Sequence, residues 1–289
     1  MGSDTSVDTS VVIPVWDAYV DARLDTAVRS IQDQGWPVDI ILVDNASTVP
    51  LPPFPDTRQV SAPHRLTLGA SRNFGLRAVT TPYVVFWDSD DVMPPGTLHD
   101  LHQAMGRADD TVAAATAMHH PLTGKRYPFP PRWAYRLAPR PRLFALCHTV
   151  RPLYPGLGSV LMRTAVVREV GGYDDTDDGG EDWALTSALA FRGRIVLTHH
   201  PGRSYLATPD SRSSRQRSLF SVWSRRCRVR RRLRADPGLP AAGKRLLPLL
   251  AVVQWFDVVL FRILRQLLQK ANGTVTGPIL TNSKGSPTP

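Results

Sequence analysis

The sequence predicts an α/β fold in which helices cover both faces of a mostly parallel β-sheet. Short apolar runs of strand character alternate with segments whose apolar residues recur at helical spacing. Residues 83–87 form a continuous run of β-branched and aromatic side chains, which is typical of a strand buried on both faces. The 289 residues, of which 42% are hydrophobic, are enough for one large domain with an appendage.

The first half of the chain supplies most of this alternation. Apolar residues recur at helical spacing from Asp17 to Gln34, and Gly35 and Pro37 end that helix. An unbroken apolar run then predicts the second strand. The predicted strands are 10–15, 38–43, 59–62 and 83–87, and two further helices are expected at 69–79 and from the prolines at 94 and 95.

The second half is less regular. Residues 111–118 predict a strand, but residues 119–142 are rich in proline and arginine and are expected to form a long functional loop or an insertion. A strand at 156–163, helices at 164–170 and 181–192, and a last strand at 194–199 complete the predicted domain.

Carboxylates stand at three places where such a sheet presents an edge to ligands. Asp44 follows the second strand, Asp88 and Asp90 follow the fourth, and Glu181 and Asp182 begin a helix. Crowded carboxylates repel one another unless a cation lies between them, so the Asp-x-Asp pattern suggests a divalent ion that holds nucleotide phosphates. By itself this motif is equally well explained by an acidic turn that caps the next helix.

The net charge of +10 is concentrated in the second half, most densely in residues 212–234. Basic surface favours phosphate-bearing partners such as nucleotide diphosphates, anionic lipid or nucleic acid. No signature of a nucleic-acid-binding fold accompanies it, so no nucleic-acid partner is predicted. Two cysteines provide neither a disulfide framework nor a metal site, which favours a cytoplasmic protein.

Two amphipathic segments follow the predicted domain. Residues 212–234 predict a basic helix that lies on the inner face of an anionic membrane, a lid that clamps the diphosphate, or a solvated helix face. Residues 246–268 are more apolar, but their run without polar side chains is too short to span a bilayer. This second segment therefore predicts an interfacial or homodimer-forming helix.

Six short blocks carry a resemblance to a known enzyme family. They resemble, in order and spacing, the inverting family 2 glycosyltransferases with the GT-A fold, and the resemblance covers roughly residues 10–205. It implies a transferase that moves a sugar from a nucleotide-diphosphate donor to a hydroxyl acceptor, which could be a saccharide, a lipid-linked group or a small molecule. The blocks are 11–16, 42–47, 69–75, 85–91, 171–174 and 180–183.

The resemblance also implies a donor site. Trp16 would lie near the nucleobase; alternatively, it fills the core. Arg72 would reach the nucleotide; alternatively, it is an exposed arginine on a helix. Asp44 would accept a hydrogen bond from the base, or else it caps a helix; uracil and thymine offer the ring N–H that cytosine lacks, which favours a UDP- or dTDP-sugar. The nucleotide-sugar-binding residues so implied are Pro14, Val15, Trp16, Asp17, Asp44, Arg72, Asp88 and Ser89.

A metal is implied in the same way. Asp90 would ligate Mn²⁺ or Mg²⁺ at the diphosphate, Asp88 would assist it and take the ribose, and Asp91 is expected to cap the following helix. The family often adds a histidine after the last core strand, but residues 205–208 contain none in register. Either water and phosphate complete the shell of the ion, or an arginine from 203–217 replaces part of its role.

Catalysis is assigned to Asp182 by the same resemblance. Inverting transfer needs a base that deprotonates the attacking hydroxyl, and Asp182 matches the aspartate of the family's Glu-Asp motif. Glu181 would orient a loop or the acceptor, and Trp183 is either an acceptor platform or plain core. The alternative is that both acids simply cap the helix.

The predicted organisation is a disordered leader (1–9), a GT-A domain (10–210), a helical extension (211–270) and a disordered tail (271–289). Two other functions compete. A nucleotidyltransferase is disfavoured because residues 14–17 lack the glycine-rich phosphate loop, and a non-catalytic peripheral membrane protein is disfavoured because the four key aspartates are present. Specificity is expected in residues 119–142, residues 153–159 and the C-terminal helices.

Overall fold

A computed structural model describes residues 7–119, 129–175, 179–204 and 219–271. The described residues form a seven-stranded sheet of order β3-β2-β1-β4-β7-β5-β8 and a separate parallel pair, β6 with β9. Neighbouring strands of the large sheet are parallel, except that β7 runs antiparallel to β4 and β5. The strands are β1 (Thr9–Val15), β2 (Val38–Asp44), β3 (Thr57–Ser61), β4 (Tyr83–Phe86), β5 (Thr111–Ala115), β6 (Met118–His119), β7 (Val160–Arg163), β8 (Arg194–Leu197) and β9 (Arg203–Ser204).

Helices cover both faces of the sheet. Alternate residues of β1 separate two cores: Val12 contributes to one core, while Val11 and Ile13 contribute to the other. This arrangement confirms the predicted α/β class with a mostly parallel sheet. The helices are α1 (Ala22–Gln32), α2 (Leu68–Ala78), α3 (Thr97–Met105), α4 (Arg132–Leu137), α5 (Pro141–Val150), α6 (Thr164–Glu169), α7 (Glu181–Ala190), α8 (Leu219–Ala235) and α9 (Ala241–Ala271).

Several predicted elements need correction. The helix expected from Asp17 to Gln34 is a short 3₁₀ turn (Asp17–Tyr19) followed by α1, because the Asp21 side chain accepts a hydrogen bond from the Arg23 N–H at 2.9 Å and so begins a new helix. The insertion expected at 119–142 contains α4 and the first two residues of α5. The helix expected from the prolines at 94 and 95 begins instead at Thr97, with Gly96 at its N-cap.

Arginine contacts join the two helices of the extension to each other and to the domain. Arg226 of α8 pairs with Asp257 of α9 at 2.5 Å, and Arg232 donates to the carbonyl of Gly172 at 2.7 Å. Asp236 at the end of α8 binds Arg192 of the domain at 2.5 Å. Much of the described basic charge therefore stabilises the attachment of α8.

The helix α9 has an apolar face that remains exposed, with Leu249, Phe256 and Leu260 each more than half accessible. No helix within the described ranges is long and apolar enough to cross a membrane. The predicted membrane or homodimer contact of this segment stays a prediction, and the predicted leader and tail lie almost entirely outside the described residues.

Candidate active site

The three groups of carboxylates meet at one edge of the large sheet. Val15 of β1 pairs with Asp44 of β2, and the Trp87 N–H, just before Asp88, donates to the Val12 carbonyl at 2.9 Å. The first turn of α7, with Glu181 and Asp182, joins them through the buried arginine of α2. Because parallel strands end, and the helices that follow them begin, at the same edge of the sheet, residues far apart in the chain converge here.

Arg72 forms that connection. Its guanidinium donates to Asp88 Oδ1 at 3.0 Å and to Glu181 Oε1 at 3.3 Å, and the residue is only 1% exposed. Burial alone would lower the pKa of Arg72, but the nearby charges, led by that of Asp88, outweigh burial and raise it. The guanidinium is enclosed between protein carboxylates, and the expected contact of Arg72 with the nucleotide stays a prediction.

The Gly-Gly-Tyr-Asp block holds α2 in place. Asn73 donates from Nδ2 to the Tyr173 carbonyl at 2.9 Å and accepts from the Tyr173 N–H at 2.8 Å. Gly172 has φ +66°, and a Cβ there would lie 2.3 Å from Asn73 Oδ1. The Tyr173 ring lies beneath the Arg72 guanidinium at 5.1 Å. Two of the sequence blocks therefore occur together because one positions the arginine of the other.

The Asp-x-Asp block is held by arginines. Asp88 Oδ2 accepts from Arg203 at 2.9 Å, and the same guanidinium pairs with Asp91 at 2.5 Å. Burial raises the pKa of Asp91 to about 7, although the Arg203 charge opposes this shift. Asp90 is an exposed residue, but its carboxyl group is partly desolvated. This desolvation raises the pKa of Asp90, and the charge of Asp88 raises it further. The expected helix-capping role of Asp91 is wrong, because Gly96 occupies the N-cap of α3.

Asp182 lies in a cavity of about 520 Å³. Its Oδ1 accepts from the Trp183 N–H at 2.7 Å. Burial raises the pKa of Asp182, the charge of Glu181 raises it further, and the Trp183 hydrogen bond lowers it in part. The N-cap of α7 is Gly180 with φ 82°, so neither acid is the capping residue. The lining includes Met118, Tyr154, Gly156, Asp182, Arg203 and Arg225.

The neighbours of Asp182 have distinct positions. Glu181 Oε2 accepts from the Gly179 N–H at 2.9 Å, which ties the preceding loop to Arg72. Trp183 is 6% exposed, and its Nε1 donates to the His148 carbonyl at 2.7 Å while its ring packs against Val229. Trp183 is thus part of the core between α7 and α8 and also borders the cavity.

A second cavity of about 360 Å³ lies beside β1, lined by Pro14, Trp16 and Arg65 among others. The Arg65 guanidinium stacks over the Trp16 ring at 4.0 Å. Asp44, at the end of β2, accepts from the Ser47 N–H at 2.9 Å. These contacts place a flat aromatic surface and a carboxylate at the same end of the sheet.

The other implied donor residues shape this region. Asp17 accepts from the Thr48 N–H at 2.6 Å and the Val49 N–H at 3.1 Å, which lower its pKa and hold the loop after β2. Val15 and Ser89 are buried, so they belong to the interior of this region and not to its exposed surface. Arg65, Gly156 and Arg225 were not predicted from the sequence as site residues, because none of them lies in a motif with an implied role.

Solved structures with bound nucleotide sugars share this fold. TarS of S. aureus in complex with UDP-GlcNAc matches with a TM-score of 0.60 at 15% identity, over 87% of this chain and 73% of that chain. The mannosyltransferase PcManGT from Pyrobaculum calidifontis, in complex with GDP-Man and Mn²⁺, matches with a TM-score of 0.58 at 16% identity, over 93% and 76%. The protein therefore has the GT-A fold.

The family follows from sequence comparison. The profile of glycosyl transferase family 2 matches residues 10–168. The pre-mycofactocin glycosyltransferase of two Mycobacterium tuberculosis strains is 32% identical over 222 residues, which is 69% of this chain and 44% of that protein. The chain belongs to glycosyl transferase family 2, as predicted, and spans less than half the length of these relatives. Asp182 and Arg203 lie beyond the range matched by the profile, so their roles depend on geometry.

Proposed function

We propose that this protein transfers a sugar from a UDP- or dTDP-sugar to a hydroxyl acceptor with inversion at the anomeric carbon, and that Asp182 is the general base. The observation that carries this proposal is the shared cavity: Asp182 lines the same space as Arg203, whose guanidinium binds the Asp-x-Asp block. This placement supports the proposal, because an in-line displacement needs the base and the group that binds the diphosphate on one cavity.

The chemistry follows from this placement. The acceptor oxygen forms a bond to the anomeric carbon while the bond from that carbon to the diphosphate oxygen breaks. The acceptor proton goes to Asp182, and the electron pair of the broken bond leaves with the nucleoside diphosphate. A raised pKa makes Asp182 a stronger base than an ordinary aspartate. Incubation with UDP- and dTDP-sugars, with NMR assignment of the product anomer, tests the proposal.

The predicted divalent ion fits the described residues poorly. No three histidine, cysteine, aspartate or glutamate side chains in the described ranges lie close enough to hold a metal. Asp88 accepts from Arg72 on one oxygen and from Arg203 on the other, which leaves Asp90 as the exposed carboxylate of the block. No step of the proposed transfer therefore depends on an ion at Asp88 and Asp90.

Trp16 provides a test of the donor site. If the nucleobase stacks on Trp16 in place of the Arg65 guanidinium, Trp16→Ala should weaken UDP binding by about 5- to 150-fold, which corresponds to the usual value of one base-stacking contact. Trp16→Phe keeps a ring and should retain most of the affinity. Isothermal titration with UDP measures both, and an unchanged Kd for Trp16→Ala would show that this ring is only a wall of the pocket.

The pH dependence provides a second test. A general base works deprotonated, so kcat/KM should fall as the pH is lowered through the pKa of Asp182, and the midpoint should lie above the ordinary value of 3.8. The residual activity of Asp182→Asn should lack this acid limb. If the limb persists in that variant, the titrating group is elsewhere, with Asp91 as the first candidate.

A further inference from the structure

Resting on the proposed function, we propose that the guanidinium of Arg203 takes the place of the divalent cation at the donor diphosphate, so that this glycosyltransferase binds its donor and transfers sugar without a metal ion. The ligand class is a nucleoside diphosphate, recognised by a fixed organic cation. No atom of Arg203 changes its bonding during transfer; its charge stabilises the diphosphate that leaves.

Backbone contacts hold the Arg203 side chain in place. Arg203 lies on β9, in register with Met118 of β6, and Nη1 donates to the Leu157 carbonyl at 2.8 Å. Gly158 has φ +60°, and a Cβ there would lie 3.0–3.2 Å from Cδ, Nε and Nη1 of Arg203. The arginine therefore crosses a surface that a larger residue at position 158 would obstruct.

The carboxylates of the Asp-x-Asp block hold the head of the arginine. Nη2 contacts Asp88 Oδ2 at 2.9 Å and Asp91 Oδ2 at 2.5 Å, and the side chain is 11% exposed. Asp88 also accepts from Arg72 through its other oxygen. A divalent ion ligated by these oxygens would face two guanidinium groups within hydrogen-bonding range of the same carboxylate, and like charges repel strongly where water is scarce.

Arg203 is also placed to meet a ligand. It lines the 520 Å³ cavity together with Asp182 and Arg225. Guanidinium groups interact favourably with phosphate oxygens and remain charged at every pH at which the enzyme works. A cation fixed by two carboxylates next to the base therefore supplies the charge that a metal would otherwise bring.

The nearby histidines do not restore a metal shell. The His199 ring stacks on Tyr135 at 4.2 Å, and His200 lies against Thr97 with Nε2 3.4 Å from the hydroxyl. Both are thus engaged on other elements, in agreement with their position before the register in which the family often carries a histidine.

The test is UDP binding to the 289-residue chain by isothermal titration, in EDTA and in excess Mn²⁺. Wild type should bind with the same Kd in both. In EDTA, Arg203→Ala should bind about 10- to 100-fold more weakly, as expected for the loss of charged hydrogen bonds. Arg203→Lys should bind UDP with an intermediate affinity, because lysine keeps the positive charge but lacks the planar set of N–H donors of arginine. Arg231→Ala, which removes a largely exposed arginine paired with Asp174, is the control and should match wild type.

The outcomes separate the two proposals. Wild-type binding that appears only with Mn²⁺ overturns the role of Arg203 and leaves the proposed transferase function intact. An absence of binding under both conditions overturns both. Arg203→Ala that binds like wild type in EDTA also overturns the inference. If Arg203→Ala does not fold, the comparison of wild type and Arg203→Lys with and without Mn²⁺ still decides.

Discussion

Replacing Asp182 with asparagine should lower turnover by about 10²–10⁴-fold while UDP binding stays near that of wild type. Asparagine keeps the size of the side chain and its ability to accept from the Trp183 N–H, but it cannot take the proton of the acceptor. Because Gly180 and not Asp182 is the N-cap of α7, the substitution should change helix stability little. Single-turnover rates of sugar transfer measure the effect on catalysis, and titration with UDP measures the effect on donor binding.

The matched control is Asp25→Asn, which changes an exposed helical aspartate paired with Arg29. It should leave turnover unchanged, since an exposed i,i+4 pair affects stability only slightly. Near-normal turnover of Asp182→Asn, or a product with the anomeric configuration of the donor, would contradict the proposed inverting mechanism.

Replacing Arg72 with methionine should lower the free energy of unfolding by about 3 kcal/mol, at the lower end of what removing one partner of a buried ion pair costs. The expected value is low in that range because Asp88 is 26% exposed and keeps Arg203 as a partner. Glu181, by contrast, loses its only ion-pairing arginine among the contacts described here. Urea unfolding, with the m-value checked for constancy, gives the measurement.

Arg77→Met is the control for this variant, since it makes the same change on an exposed position of the same helix. It should alter stability by no more than about 0.5 kcal/mol. A double-mutant cycle with Glu181→Gln should show coupling of about 0.5–3 kcal/mol. Additive effects of Arg72→Met and Glu181→Gln would show that the buried contact does not stabilise the fold.

Local sequence patterns predicted most of the sheet. The apolar runs predict β1, β2 and β4 to within one residue at every end, because a strand buried on both faces has a continuous apolar signature. The antiparallel direction of β7 was not predicted, since the direction of a strand leaves no mark in a run of four residues. The helices α4 and α5 were hidden because proline, which usually breaks helices, here lies at or before their first turn.

The sequence by itself determined the fold class, the family and the carboxylates that stand at the edge of the sheet, because each depends on residues close together in the chain. The tertiary structure decided which cation each carboxylate faces. Asp88 meets Arg72 and Arg203 across separations of 16 and 115 residues, and no local pattern encodes such a contact. Ion pairing depends on distances of a few ångströms in a partly desolvated site. Only the packing of α2 on β1 and β2, and the pairing of β9 with β6, could therefore place two arginines at the end of β4, where a metal ion was expected.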